Sequence, residues 1–206
     1  MNNGYTPAPD HPPLPEVASV LIPEHQIKQR VAQLGRQLAT DLQTELARAG
    51  HHPLKHPDRV VMLPILTGAM VFAADLIREM PLRLSIRLVA VSSYPGQSTT
   101  SRGASIKSAL PDDLEDRHVV LIDDILDSGQ TLKLIRDAVE EQSPASVRAC
   151  VLLNKHARRT TKVPCELAGF DIPDEFVVGY GLDYDGFYRN LPDIVTLDPD
   201  ALQNAP

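Results

Sequence analysis

The residues best suited to chemistry fall in one run: Asp123, Asp124, Asp127, Ser128, Gly129, Gln130 and Thr131. Val119-Val120-Leu121-Ile122 precede them and read as a strand buried on both faces, the signature of a parallel sheet. Open α/β sheets place ligands beyond the carboxyl ends of such strands, where the two acids fall. Leu132, Leu134, Ile135, Ala138 and Val139 then give the apolar stripe of a helix. Asp123 and Asp124 offer carboxylates to vicinal sugar hydroxyls or to a metal ion bridging them. Ser128 to Thr131 open the helix, so their backbone N–H groups are unpaired and suit phosphate oxygens. Gly129 lets the backbone come close, and the two hydroxyls add donors. Asp127 is the odd member, because a carboxylate beside a phosphate is repulsive unless it does chemistry. The plainer alternative is that Asp127 and Ser128 only cap the helix. Either way, the pattern suits a sugar phosphate.

This segment resembles the phosphoribosyl pyrophosphate motif of the type I phosphoribosyltransferases. Downstream, Leu152-Leu153-Asn154-Lys155 and the run from Phe170 to Tyr184 resemble the purine pocket of the hypoxanthine/guanine members. The similarity extends from about Ile22 to about Asp198 and takes in Ile22-Pro23-Glu24, Gly68, Ser92-Ser93-Tyr94 and Tyr188-Arg189. The fold it implies is a doubly wound, mainly parallel sheet of about five strands. A small hood would cover the base, built from residues 156–206 and part of the N-terminus.

The resemblance also implies roles. Lys155 would donate to the exocyclic oxygen of a 6-oxopurine; adenine, with an amino donor there, would face another donor. Phe176 would stack on the purine and Val177 would read its edge through backbone groups. Asp183 would lie near a pyrophosphate-bound magnesium ion and the purine two-position, and Arg189 would contact pyrophosphate. Asp123, Asp124 and Asp183 would be the magnesium-side acids, and Asp127 the general base. Leu66-Thr67-Gly68 would form the pyrophosphate loop, with a cis peptide at Leu66–Thr67. Relatives often carry Lys or Arg where this chain has Thr67, so one positive charge is missing. Asp123 likewise stands where Glu is common. Ser93 and Tyr94, with Gln97 to Arg102, match a lid that would exclude water from a cationic sugar intermediate.

Taken without the resemblance, several of these residues keep ordinary readings. Lys155 suits a solvated strand end, Phe176 a core position, Asp183 a turn and Arg189 a surface ion pair. The expected activity is magnesium-dependent phosphoribosyl transfer from phosphoribosyl pyrophosphate to hypoxanthine or guanine. A xanthine-type enzyme and a nucleotide-responsive RNA-binding regulator on the same fold are the alternatives.

Composition narrows the field. The chain has 206 residues and a formal charge of −7, which argues against a broad nucleic-acid surface. Arg158, Arg159 and Lys162 form only a local basic patch. No apolar run approaches the roughly 18–20 residues that span a bilayer, so no membrane partner is expected. Cys150 and Cys165 lie in apolar stretches without metal-ligand spacing, which suits core packing in a reducing compartment. Cytoplasm is the expected location, and by resemblance a homodimer or homotetramer the expected assembly.

The elements that position the site follow from periodicity. Residues 1–20 are proline-rich and read as a loose leader before a single domain at 21–206, with its core at about 55–155. Ile27, Val31, Leu34, Leu38, Leu42 and Leu46 keep helical spacing from Glu24 to Ala49, stopped by Gly50. Strands are expected at Val60–Leu66, Leu84–Ser92, His118–Ile122, Val147–Leu153, Glu166–Phe170, Phe176–Tyr180 and Ile194–Leu197. Helices are expected at Ala69–Met80 and Gly129–Glu141. His51, His52 and His56 sit in a proline-bearing loop, which favours surface over metal.

Overall fold

A computed structural model of the chain describes residues 14–52, 58–92, 105–106 and 110–198. The elements, in order, are β1 (Val17–Ile22), α1 (Glu24–Arg48), β2 (Val60–Leu66), α2 (Met70–Arg78), β3 (Ser85–Ile86), β4 (Val89–Ser92) and β5 (Ser105–Ile106). They continue with β6 (His118–Leu126), α3 (Gln130–Glu140), β7 (Ser146–Lys155), β8 (Leu167–Ile172), β9 (Val177–Val178) and β10 (Ile194–Leu197). They fall into two compact units: Val31–Asp174, and the described residues up to Arg30 together with those from Glu175 on. The seam therefore runs through α1. The described residues 31–52 and 156–174 group with the sheet.

In the larger unit the sheet runs β5-β4-β2-β6-β7-β8, with β3 also on β2. Every pairing is parallel except β4 with β5. β2 and β6 are almost wholly buried, as continuous apolar runs covered on both faces require. Val61, Leu63, Val119, Leu121, Leu132, Ile135, Val139 and Val151 form its core. The doubly wound parallel sheet expected from the motif pattern is present.

Among the boundaries that differ from those expected, three bear on the large sheet that carries the candidate residues. The strand placed at Leu84–Ser92 is two pieces in one register, since Met62 pairs Ile86 and Ile65 pairs Val89. The Met62 carbonyl accepts from Arg87 N at 2.9 Å. Two residues on, Pro64 faces the same neighbour and has no N–H to give, which interrupts the ladder. β6 continues past Ile122 to Leu126, so both acids lie within the strand, and β7 reaches Lys155 itself. Pairing holds them there: Asp123 opposes Val151 and Leu126 opposes Asn154.

The smaller unit carries an antiparallel sheet, β1-β10-β9. Residues 17–20, which composition assigns to the loose leader, enter β1 and pair with β10. Val17 and Val20 pack against a small cluster of Val178, Val195 and Leu197, and this apolar contact outweighs the proline-rich lead-in. Among the described residues no helix is long and apolar enough to cross a membrane. Cys150 is buried and Cys165 partly so, neither in a disulfide, and burial pushes the Cys165 thiol up to about 11.

Candidate functional site

In the larger unit the candidate residues gather at the carboxyl ends of β2, β6 and β7. The β2 end supplies Thr67, exposed, and Gly68, with a cis peptide joining Leu66 to Thr67. A Cβ on Gly68 would run into the Asp124 carboxylate unless that side chain or the loop moved. Gly68 of the expected pyrophosphate loop therefore lies directly against Asp124.

Asp123 is buried, 7% exposed, while Asp124 is half-buried. Asp123 Oδ1 accepts from Asp124 N at 3.1 Å, and Asp124 Oδ1 accepts from Ile125 N at 2.9 Å. Burial first, then the charge and hydrogen bond of Asp124, push the Asp123 carboxyl well above its usual range. The pair is a concentrated set of hard oxygen donors. Among the described residues no three His, Cys, Asp or Glu side chains cluster as a cation cage. Two adjacent carboxylates are the donor set that suits magnesium, which is commonly held through one or two carboxylates with substrate phosphates completing its shell.

Beyond β6, Asp127 and Ser128 lead into α3. Gly129 is its N-cap, at φ +85°, and offers no side chain to cap the helix. Ser128 Oγ accepts from Gln130 N, but at 3.3 Å. Capping therefore does not account for Asp127. Its Oδ1 is buried and has no hydrogen-bond partner among the described residues. A buried carboxylate oxygen left without a donor is costly, and such atoms mark places where function sets the arrangement.

On the neighbouring strand, Lys155 ends β7 and is 5% exposed. Its Nζ lies 3.6 Å from Asp174 Oδ1, and the same oxygen pairs with Arg158 Nε at 2.7 Å. Asp174 raises the Arg158 pKa most, and the charge of Asp127 adds to the effect. The sequence reading gave Asp174 no role and named Arg158 only as part of a local basic patch. Adjacent arginines after a strand carry no spacing signal that says which one turns inward.

The remaining candidates belong to the smaller unit. Phe176 is half exposed, its ring centroid 5.5 Å from that of Tyr184 and nearly perpendicular to it. Val177 is buried in β9 opposite Thr196. Asp183 and Arg189, given separate tasks by the sequence, form one ion pair at 2.7 Å. Asp183 Oδ2 also accepts from Gly186 N, and Arg189 Nη1 donates to the Gly181 carbonyl at 2.6 Å. Ser93 and Tyr94, with the rest of the expected lid to Arg102, lie outside the described residues.

A model of the phosphoribosyl transferase domain matches residues 26–185. The chain belongs to the phosphoribosyltransferase family. The "Hypoxanthine phosphoribosyltransferase" of Haemophilus influenzae is 40% identical over 172 residues, 84% of this chain and 90% of the relative. The "Hypoxanthine-guanine phosphoribosyltransferase" of Mycobacterium avium is 38% identical over 98% of this chain and 97% of its own length. Among solved structures, the Staphylococcus aureus hypoxanthine phosphoribosyltransferase superposes with a TM-score of 0.78 at 37% identity, covering 90% of this chain and 94% of that one. A Trypanosoma cruzi hypoxanthine phosphoribosyltransferase structure gives 0.82 at 29% identity, covering 94% and 97%. For a phosphoribosyltransferase, an acid pair and an N-terminal helix turn at the end of a central strand are the expected ligand edge.

Proposed function

We propose that this chain works in purine salvage, transferring the 5-phosphoribosyl group of phosphoribosyl pyrophosphate to hypoxanthine or guanine and yielding IMP or GMP with pyrophosphate. The observation that carries this reading is the orphaned Asp127 Oδ1, set between the acid pair and the first turn of α3. In the reaction the bond from the anomeric carbon to pyrophosphate breaks, and a bond to a ring nitrogen of the purine forms. Asp127 accepts the proton that leaves the purine's imidazole ring. The backbone N–H groups of Ser128 to Thr131 hold the 5′-phosphate. The Asp123–Asp124 pair faces the ribose, where positive charge develops, and stabilises it.

Magnesium, when bound, would offset charge on the leaving pyrophosphate; Asp123 and Asp124 are the acids of the larger unit that would hold it, and Asp183 is the acid of the smaller unit suited to the same ion. Lys155 donates to the 6-oxo group; in the smaller unit, Phe176 is a ring suited to stacking on a purine and Val177 offers backbone groups suited to reading its edge. The Thr67–Gly68 backbone takes the pyrophosphate, and in the smaller unit Arg189 is a guanidinium suited to the same group. The same reading places the enzyme in the cytoplasm as a homodimer or homotetramer, with no nucleic-acid partner.

Nucleotide formation from phosphoribosyl pyrophosphate and magnesium, run in parallel with hypoxanthine, guanine, xanthine and adenine, tests the proposal. Turnover with hypoxanthine or guanine and not with adenine is expected. Preference for xanthine would reassign the substrate, and no turnover in protein that binds phosphoribosyl pyrophosphate would point to the regulator.

A further inference from the structure

Arg159 carries a set of contacts that the functional reading does not use. Its Nε donates to the Asp127 carbonyl at 3.0 Å. Its Nη2 donates to the Leu126 carbonyl at 3.0 Å and to Asn154 Oδ1 at 2.7 Å, with the Lys155 carbonyl at 3.5 Å. One planar fork therefore grips the last residue of β6, the residue proposed as general base, and the end of the strand that carries Lys155. Leu126 and Asn154 are the last register partners of the β6–β7 ladder. Beyond them the two chains separate, and the guanidinium takes over the lateral link that the backbone no longer makes.

The surrounding contacts point the same way. Thr160 N and Thr161 N donate to the Ser128 carbonyl at 3.1 and 3.0 Å. A Cβ on Gly129 would press on Thr161 O and on Arg159 Cδ. Asn154 is itself fixed, because its Nδ2 donates to Asp171 Oδ1 at 2.7 Å. Among the described residues Arg159 has no carboxylate partner, so its contacts are all to neutral oxygens of this one junction. A guanidinium supplies several donors in fixed geometry, which an ammonium does not reproduce.

We infer that Arg159 is a positioning residue for the transfer step, fixing the Asp127 backbone against the Lys155 end of β7 so that base and proton acceptor meet in register. This rests on the roles proposed for Asp127 and Lys155. Displacing a reacting group by about an ångström costs on the order of 10²-fold in rate.

The test compares Arg159→Lys and Arg159→Ala with the unaltered chain. Steady-state kcat and KM are measured for phosphoribosyl pyrophosphate and hypoxanthine, and calorimetry measures phosphoribosyl pyrophosphate binding without base. Both variants are expected to lose roughly 10²-fold in kcat while binding survives. If Arg159→Ala does not fold, Arg159→Lys, which keeps the charge and loses the fork, decides alone. A kcat like that of the unaltered chain in either folded variant overturns the inference, as does a loss confined to substrate affinity. Absence of turnover in the unaltered chain would overturn the proposed function instead, so the two failures are distinct.

Discussion

The ammonium of Lys155 and the carboxylate of Asp174 face each other at 3.6 Å, and Arg158 shares the same Asp174 oxygen. A lysine this buried requires a nearby anion, since an ion cut off from water and unpaired is strongly disfavoured. Under the proposed function this ammonium is the donor to the 6-oxo group of the purine. Replacing Lys155 by Met should lower kcat/KM for hypoxanthine by roughly 10–10²-fold, the value of a hydrogen bond to a charged group. Phosphoribosyl pyrophosphate affinity should hold. Asp174→Asn should produce a smaller loss in the same parameter. Equal losses toward both substrates would show that Lys155 does not read the base.

Asp127 has a different dependence. Its Oδ1 is buried without a partner, so the site already holds an acceptor and an amide in its place cannot take a proton. Asp127→Asn should reduce kcat by roughly 10²–10⁴-fold. Calorimetry should still detect phosphoribosyl pyrophosphate binding. Unchanged turnover in this variant would remove the general-base assignment.

The sequence made the ligand edge legible because its signals are local. A buried apolar run, two acids and a helix stripe specify a strand end whatever surrounds them. The break at Arg87 and Leu88 was hidden because its cause, Pro64, lies in another strand. The extra length of β6 and β7 was hidden for a related reason. Polar residues such as Asp123 and Asn154 are poor strand formers, and cross-strand pairing keeps them in the ladder. The Arg159 fork and the Asp174–Lys155 contact join residues whose sequence spacing has no period, so no pattern announces them.

Gly68 tests how tightly the pyrophosphate loop and the acid pair are coupled. A Cβ there would occupy the space of the Asp124 carboxylate, so Gly68→Ala must move the loop or the acid. The expected result is a drop in kcat/KM for phosphoribosyl pyrophosphate of about 10-fold or more, the low end of the cost of misplacing a group by an ångström. Hypoxanthine KM should change little. A fully active Gly68→Ala enzyme would show that the Asp124 carboxylate is free to shift without cost.

At the opposite end of β6, His118 is buried, its Nδ1 2.8 Å from Ser146 Oγ and 3.3 Å from Glu45 Oε2. Arg148 pairs with the same Glu45. Burial lowers the His118 pKa most; Arg148 and His51 add to this, while Glu45 and Asp116 oppose it. The folded protein therefore binds this proton less readily than the unfolded chain, whose histidine titrates near 6.5. Stability from the neutral ring is fully present above about pH 6.5 and is lost as pH falls through the lower folded value. Thermal unfolding from pH 7.5 to pH 5.5 should show Tm falling faster in the unaltered chain than in His118→Gln, which has no proton to gain. Parallel slopes in the two proteins would place the acid sensitivity in other groups.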